Sequence, residues 1–295
     1  MSLLHPIVAV TGSSGAGTTS VTIAFRQMFG RHGLAAAWIE GDSFHRHDRE
    51  AMACAVDAAA AAGRTLTHFG PDGNLFDALE SLFAGYAASG TGHRRHYVHT
   101  TEEAQHHGVP AGTFTPWEPL PDATDLLFYE GLHGGLVTPG HDIARHVDLL
   151  VGVVPIINLE WIQKIQRDRA VRGYSAEAAT DMILRRMPDY VHYICPQFSR
   201  TDINFQRIPT VDTSNPFTAD EIPNSDESLL VIHVANPRKI EPDFSALLGE
   251  IRGAFLSRPD TLVVPGSNYV FAMEQLLTPV IERLIARRDQ ALGRR

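Results

Sequence analysis

Short apolar runs alternate with stretches of helical periodicity along the chain. Residues 7–10 form a β-branched run that closes on Thr11 and a glycine-rich turn, which predicts a buried strand. Over 18–29, Val21, Ile23, Phe25, Met28 and Phe29 fall on one broad helical face, and Gly30 and Gly33 supply the stop. A second strand is predicted over 35–40, closed by Gly41 and Asp42, with helices over 48–62 and 74–88. Residues 125–130 (DLLFYE) and 148–155 (DLLVGVVP) read as further strands, the first ending in an acid. Helices follow over 159–172 and 175–187, the second stopped by Pro188. The last third offers strands over 229–234 and 261–264 and a helix over 271–288. Residues 90–122, rich in His, Pro, Gly and Thr, lack periodicity and read as loops with short extended pieces.

This alternation predicts an α/β fold, a mostly parallel, mixed sheet flanked by helices, with ligands at the C-terminal ends of strands. No repeat or long linker divides the chain, so residues 1–295 are expected to form one domain with insertions. At 295 residues, 44% hydrophobic and 20% charged, the chain can bury a core without staples and is not disordered, collagen-like or coiled-coil. The longest apolar stretch, residues 149–157, contains Pro155 and is too short to span a bilayer. The first residues carry no basic segment or cleavage site, and two cysteines make no disulfide framework, so a cytoplasmic location is expected. A net charge of −9 argues against general nucleic-acid or anionic-membrane binding. Of the 25 basic residues, only Lys164 and Lys239 are lysine.

The strongest local signal is Gly12, Ser13, Ser14, Gly15, Ala16, Gly17, Thr18 and Thr19, which matches GxxxxGK[ST] except that Thr18 replaces the lysine. Small residues let successive N–H groups converge on phosphate oxygens, and Thr19 offers a hydroxyl for Mg²⁺. A ligand-free glycine turn is the plainer alternative. The position between a strand and a helix favours phosphate. Without its lysine the loop needs positive charge from elsewhere.

Three clusters stand near strand ends. Asp42 can accept a proton from an attacking hydroxyl, with His45 and Arg49 on the same side if a helical turn starts there; a simple helix cap is the competing reading. Glu130 ends an apolar strand where a Mg²⁺-associated acid belongs. Lys164, Arg167, Asp168 and Arg172 share one helical face, either as a salt-bridged surface or as a cationic lid over the transferred phosphate. His93, His96, His99, His106 and His107 lack a zinc-type ligand pattern, and the hard cation wanted here prefers oxygen. Phe25, Phe83 and Trp161 are expected in core or lid packing.

Taken together, VTGSSGAGTT (10–19), EGDSFHR (40–46), YVH (97–99), FYEGLHG (128–134), VVPIINLEWIQKIQRDRAVRGY (153–174), PQFSRTDINFQRIP (196–209) and VDTSNPF (211–217) closely resemble phosphoribulokinases of the bacterial type. The resemblance implies a P-loop, nucleoside-kinase-like fold and ATP- and Mg²⁺-dependent phosphorylation of the 1-hydroxyl of ribulose 5-phosphate, giving ribulose 1,5-bisphosphate for carbon fixation. It implies Asp42 as general base, His45, Arg49, Tyr97, His99 and Arg172 around the sugar phosphate, and Glu130 as the Mg²⁺-associated acid. It also implies Lys164, Arg167 and Asp168 as a lid on the reacting phosphates. The lysine-free loop is itself a bacterial-type feature. Plant-type members carry a regulatory cysteine in this loop, where Gly15, Ala16 and Gly17 leave none. Bacterial-type relatives are octamers activated by NADH and inhibited by AMP, which analogy alone extends to this chain. The alternatives are another P-loop small-molecule kinase, such as a uridine-kinase-like enzyme, a non-catalytic ATP-sensing protein, or an ATPase that uses water.

Overall fold

The computed structural model describes residues 2–12, 18–172, 175–219 and 221–293; the side chains of residues 18–20, 168, 171 and 172 lie outside the description. Eight strands form the central sheet: β1 (Ile7–Gly12), β2 (Ala36–Glu40), β3 (Leu126–Gly131), β4 (Leu149–Val154), β5 (Ile203–Pro209), β6 (Ser228–Val234), β7 (Phe255–Arg258) and β8 (Thr261–Pro265). Their order across the sheet is β7-β8-β6-β5-β4-β1-β3-β2. The five from β2 to β5 run parallel, whereas β6, β8 and β7 continue with antiparallel pairings.

The parallel half is buried on both faces, as crossover helices require. Every residue of β1 is buried, and its side chains divide by the period of two. Val8 and Val10 join a core with α1 (Thr18–Arg31) and the final helix, while Ile7 and Ala9 join another with α3 (Phe76–Ser89). Beyond β5 the pattern becomes alternating: in β6, Ser228, Leu230, Ile232 and Val234 are buried and their neighbours only partly so. At the far edge β7 is exposed along its length.

From β1 the chain crosses to β2, returns to β3 between them, and then crosses to β4 on the opposite side of β1. The chain therefore crosses in opposite directions after β1 and after β3, and such a switch point is where an α/β sheet offers a crevice at the strands' C-terminal ends. A smaller unit stands apart from the two main cores. There α4 (Ile157–Arg172) packs against α5 (Ala176–Asp189) through Ile165, Ala179 and Ile183, with Trp161 against Phe217 at 5.2 Å.

Four local expectations are corrected. Pro188 does not stop its helix: α5 runs to Asp189, and the backbone passes through a wide turn at Tyr190–Ile194 into Cys195–Ser199. The proline forfeits one N–H, and wider turns take up the change. The chain after Asp42 is not one helical run. A 3₁₀ turn, Gly41–Phe44, ends at an extended His45, and α2 (Arg49–Ala61) starts on an Asp48 cap. The helix read over 74–88 begins at Phe76, because Asn74 is extended and held elsewhere. Residues 90–122 contain a helix, Thr101–His107, capped by Thr100, besides a two-stranded pair, His93–Arg94 with Glu118–Pro119.

Candidate active site

β2 and β3 pair in register, with Glu40 beside Glu130. One residue on, Gly41 and Gly131 face each other so closely that a Cβ on Gly41 would sit 2.8 Å from the Gly131 Cα and 2.6 Å from the Tyr129 hydroxyl. Only glycine permits that approach. The next residue is Asp42, so the turn delivers its carboxylate beside the end of β3.

Around Asp42 the structure gathers four of the expected residues. His45 Nε2 is 3.1 Å from Asp42 Oδ1, and His99 Nε2 is 3.6 Å from Oδ2. The Tyr97 ring lies 4.8 Å from that of His99 and 6.3 Å from that of His45. Arg49 opens α2, and its Nη2 donates to the His99 carbonyl at 3.1 Å. The Asp42 side chain is 41% exposed, with His45 near one carboxylate oxygen and His99 near the other.

The phosphate-loop residues Ser13, Ser14, Gly15, Ala16 and Gly17 lie outside the described residues, as do the side chains of Thr18, Thr19, Asp168 and Arg172. What flanks the loop agrees with the motif. β1 ends at Gly12, where a Cβ would meet the Val153 carbonyl at 2.7 Å, and α1 opens at Thr18. Thr11 donates to Gln197 Oε1 at 2.8 Å, which anchors the start of the loop. Lys164 is half-buried and Arg167 exposed on α4, both within the α4–α5 unit. Lys239 is committed elsewhere: its Nζ lies 2.7 Å from the buried Asp202 carboxylate. Among the described residues, no group of three or more His, Cys, Asp or Glu side chains is arranged to hold a metal.

Two acids at neighbouring strand ends are treated in opposite ways. Burial alone would raise Asp42, but the hydrogen bond and charge of His45, helped by His99 and His68, outweigh it and hold the carboxyl well below its ordinary value. Glu130 is pushed up to about 7 by burial and by the charges of Asp42 and Glu40. His45 loses by burial and gains more from Asp42 and Asn74, so its value is raised.

Several supporting residues escaped sequence reading. Arg95 donates from Nε to the Ser43 carbonyl at 2.8 Å and from Nη2 to the His45 carbonyl at 2.7 Å. Its guanidinium stacks 3.6 Å from the Phe114 ring centre and 4.8 Å from that of Trp117, forming a strut under the turn. Asn74 Oδ1 is 2.9 Å from His45 Nδ1, and the His68 ring lies 4.2 Å from the His45 ring. His133 is buried, with Nε2 3.0 Å from the Phe69 carbonyl. An arginine in a segment without periodicity carried no signal. The pair Thr100 and Glu103 did, since Thr100 accepts from the Glu103 N–H at 3.2 Å, as a capping box does.

A parallel sheet with a glycine loop after its first strand and acids closing the next two is the architecture of a P-loop, nucleoside-kinase-like phosphotransferase. The family model described as "Phosphoribulokinase / Uridine kinase family" matches residues 7–214. The plasmid-encoded phosphoribulokinase of Cupriavidus necator is 59% identical over 292 residues, covering 99% of each chain. The probable phosphoribulokinase of Escherichia coli K12 is 56% identical over 285 residues, 97% of this chain and 98% of that one. Among solved structures, phosphoribulokinase from Rhodobacter spheroides superposes with a TM-score of 0.90 at 50% identity, covering 98% of this chain and all of the other. The chain belongs to the phosphoribulokinase / uridine kinase family, on its phosphoribulokinase side.

The buried histidines make the site acid-sensitive. Burial, then the charges of His45 and Arg186, lowers His68 from 6.5 to about 3, and burial lowers His133 to about 3. Folded values below the unfolded one mean that the folded state binds fewer protons. This stabilisation is complete above pH 6.5 and is lost as pH falls toward 3, at roughly 1 kcal/mol per pH unit for each ring. His45, being raised, contributes in the opposite sense, fully below 6.5 and fading as pH rises through its folded value. The thermal midpoint is therefore expected to drop between pH 6.5 and about pH 4.5, and His68→Gln with His133→Gln to flatten the slope. A midpoint constant over that range would contradict the burial of neutral rings here.

Proposed function

We propose that the crevice at the ends of β1, β2 and β3 is where this chain performs its reaction, with Asp42 as general base. The activity is transfer of a phosphoryl group from ATP to ribulose 5-phosphate, the reaction of the Calvin cycle kinase. The observation that carries the site assignment is the ionised Asp42 at a strand end, flanked by His45 and His99 and still 41% exposed.

The 1-hydroxyl of the sugar gives its proton to Asp42 Oδ2 as its oxygen attacks the γ-phosphorus of ATP. The bond from that phosphorus to the bridging oxygen breaks, and ADP leaves with the electron pair. Both ring nitrogens of His45 are engaged within the protein, so His45 serves the substrate through its charge rather than as a donor. Tyr97, His99, Arg49 and Arg172 are assigned to the sugar phosphate, and residues Gly12 to Thr19 to the nucleotide. Glu130 suits Mg²⁺: a hard oxygen donor raised by burial and by two neighbouring acids gains most from a divalent cation. Glu130 and Thr19 would hold the ion, which when bound offsets phosphate charge. Lys164, Arg167 and Asp168 are assigned to a lid formed by α4, supported by the separate small core of the α4–α5 unit. Residues 1–295 then form one kinase domain whose lid centres on 159–172. Likeness to bacterial-type enzymes supports an octamer activated by NADH and inhibited by AMP. No described helix is long and apolar enough to cross a membrane, which agrees with the proposed cytoplasmic location.

Two substitutions test these roles. Asp42→Asn keeps the shape of the side chain but cannot take the proton, so kcat is expected to fall about 10²–10⁴-fold or more with folding intact. The assay uses ribulose 5-phosphate, with uridine as control acceptor, and near-wild-type turnover by Asp42→Asn would remove the general-base assignment. Lys164→Met removes the lysine proposed to supply the charge that Thr18 cannot. Since charge on the transferred group is stabilised most in the transition state, kcat should fall about 10²-fold and KM for ATP change little. A raised KM with kcat untouched would make Lys164 a binding contact only.

A further inference from the structure

Asn74 lies 29 residues from His45 in sequence and is 2% exposed. Both hydrogens of its amide are used, because Nδ2 donates to the carbonyls of His68 at 2.8 Å and Gly70 at 2.7 Å. Turning the amide over would set its oxygen against two carbonyls, so Oδ1 must face His45 Nδ1. The backbone secures the same register: Arg46 N donates to the Gly73 carbonyl at 2.9 Å, and Leu75 N to the Phe44 carbonyl at 2.8 Å. The loop that delivers Asn74 is folded tightly enough that a Cβ on Gly73 would lie 2.2 Å from the Thr67 carbonyl oxygen.

An amide oxygen only accepts, so the hydrogen in that contact belongs to His45 Nδ1. A neutral imidazole has one N–H. With it on Nδ1, a neutral His45 would point a bare Nε2 at the Asp42 carboxylate, 3.1 Å away. Lone pair would face lone pair unless a second proton lay between them.

We propose that Asn74 is a positioning residue that holds one hydrogen on His45 Nδ1, so that a second is held between His45 Nε2 and Asp42 Oδ1 and the substrate's proton is directed to Asp42 Oδ2. This rests on the reading of Asp42 as general base. Proton accounting is simple. The Nδ1 proton stays with Asn74 and the Nε2 proton stays between the pair. The hydroxyl proton arrives on Oδ2 and leaves from there to water after the product departs. The surroundings agree. His68, tilted over the ring at 4.2 Å, stays neutral, so His45 holds its charge without a second cation in contact. Arg95 bears on the backbone below and works against that charge, His99 and Tyr97 lie beside the pair, and the attraction of Asp42 prevails.

The decisive readout is the protonation of the ring itself. ¹⁵N spectra of the full protein with ring-labelled histidine, assigned by difference with His45→Asn, report which of its nitrogens carry hydrogen. Hydrogen on both is expected in the unsubstituted protein at pH 7. Asn74→Leu, which cannot accept, should release the Nδ1 hydrogen and leave a neutral ring with Nε2–H donating to Asp42, shift its titration downward, and lower kcat about 10-fold or more with KM for ribulose 5-phosphate changed less. Hydrogen on only one nitrogen in the unsubstituted protein overturns the proposal even if no Asn74 variant folds. A loss of kcat in Asn74→Leu with the protonation of the ring unchanged overturns it too, marking Asn74 as scaffold. Failure of the general-base reading is separate: it shows as activity retained by Asp42→Asn, whatever the state of the ring.

Discussion

Where β2 and β3 end, Gly41 and Gly131 bring two backbones closer than any side chain would permit, and the chemistry of the site descends from that contact. It brings Glu40, Asp42 and Glu130 into one small region, where burial and the charges of its two neighbours push Glu130 up to about 7. The chain resolves the conflict unequally. Asp42 receives an imidazolium and stays charged, while Glu130 receives none and is left high. Under the proposed roles the divergence is useful: Asp42 is left able to take a proton, and Glu130 gains from a cation.

Keeping that asymmetry requires rigidity behind the acids. Arg95 grips the carbonyls of Ser43 and His45 from below while two aromatic rings cover its faces. Asn74 grips the far side of the His45 ring. His68 and His133 fill the space beside it as neutral rings, at the cost of acid stability. The α4–α5 unit is built on other terms, with its own few apolar contacts, which suits the proposed lid.

The buried parallel strands were legible because burial on both faces leaves continuous apolar runs, as in β1, β3 and β4. β5 was not, since Asn204, Gln206 and Arg207 interrupt Ile203 and Phe205 and only its neighbours make the segment a strand. β7 is an exposed edge, with no pattern imposed by a core. In the site, Asp42 and Glu130 stood out because an acid closing an apolar strand has few structural reasons to be there. Lys164 stood out by scarcity, one of two lysines, and the engagement of Lys239 with Asp202 strengthens that choice. Asn74, His68 and Arg95 act across loop contacts that no local spacing encodes, and the segment supplying Arg95 lacks periodicity. Pro188 misled because a proline late in a helix can be absorbed by a wider turn.

The most direct test of the whole arrangement is a crystal structure with ribulose 5-phosphate, Mg²⁺ and a non-hydrolysable ATP analogue. The account predicts the 1-hydroxyl at about 3 Å from Asp42 Oδ2, with His45 still between Asp42 and Asn74. A substrate bound with its hydroxyl turned away from Asp42, toward another proton acceptor, would contradict it.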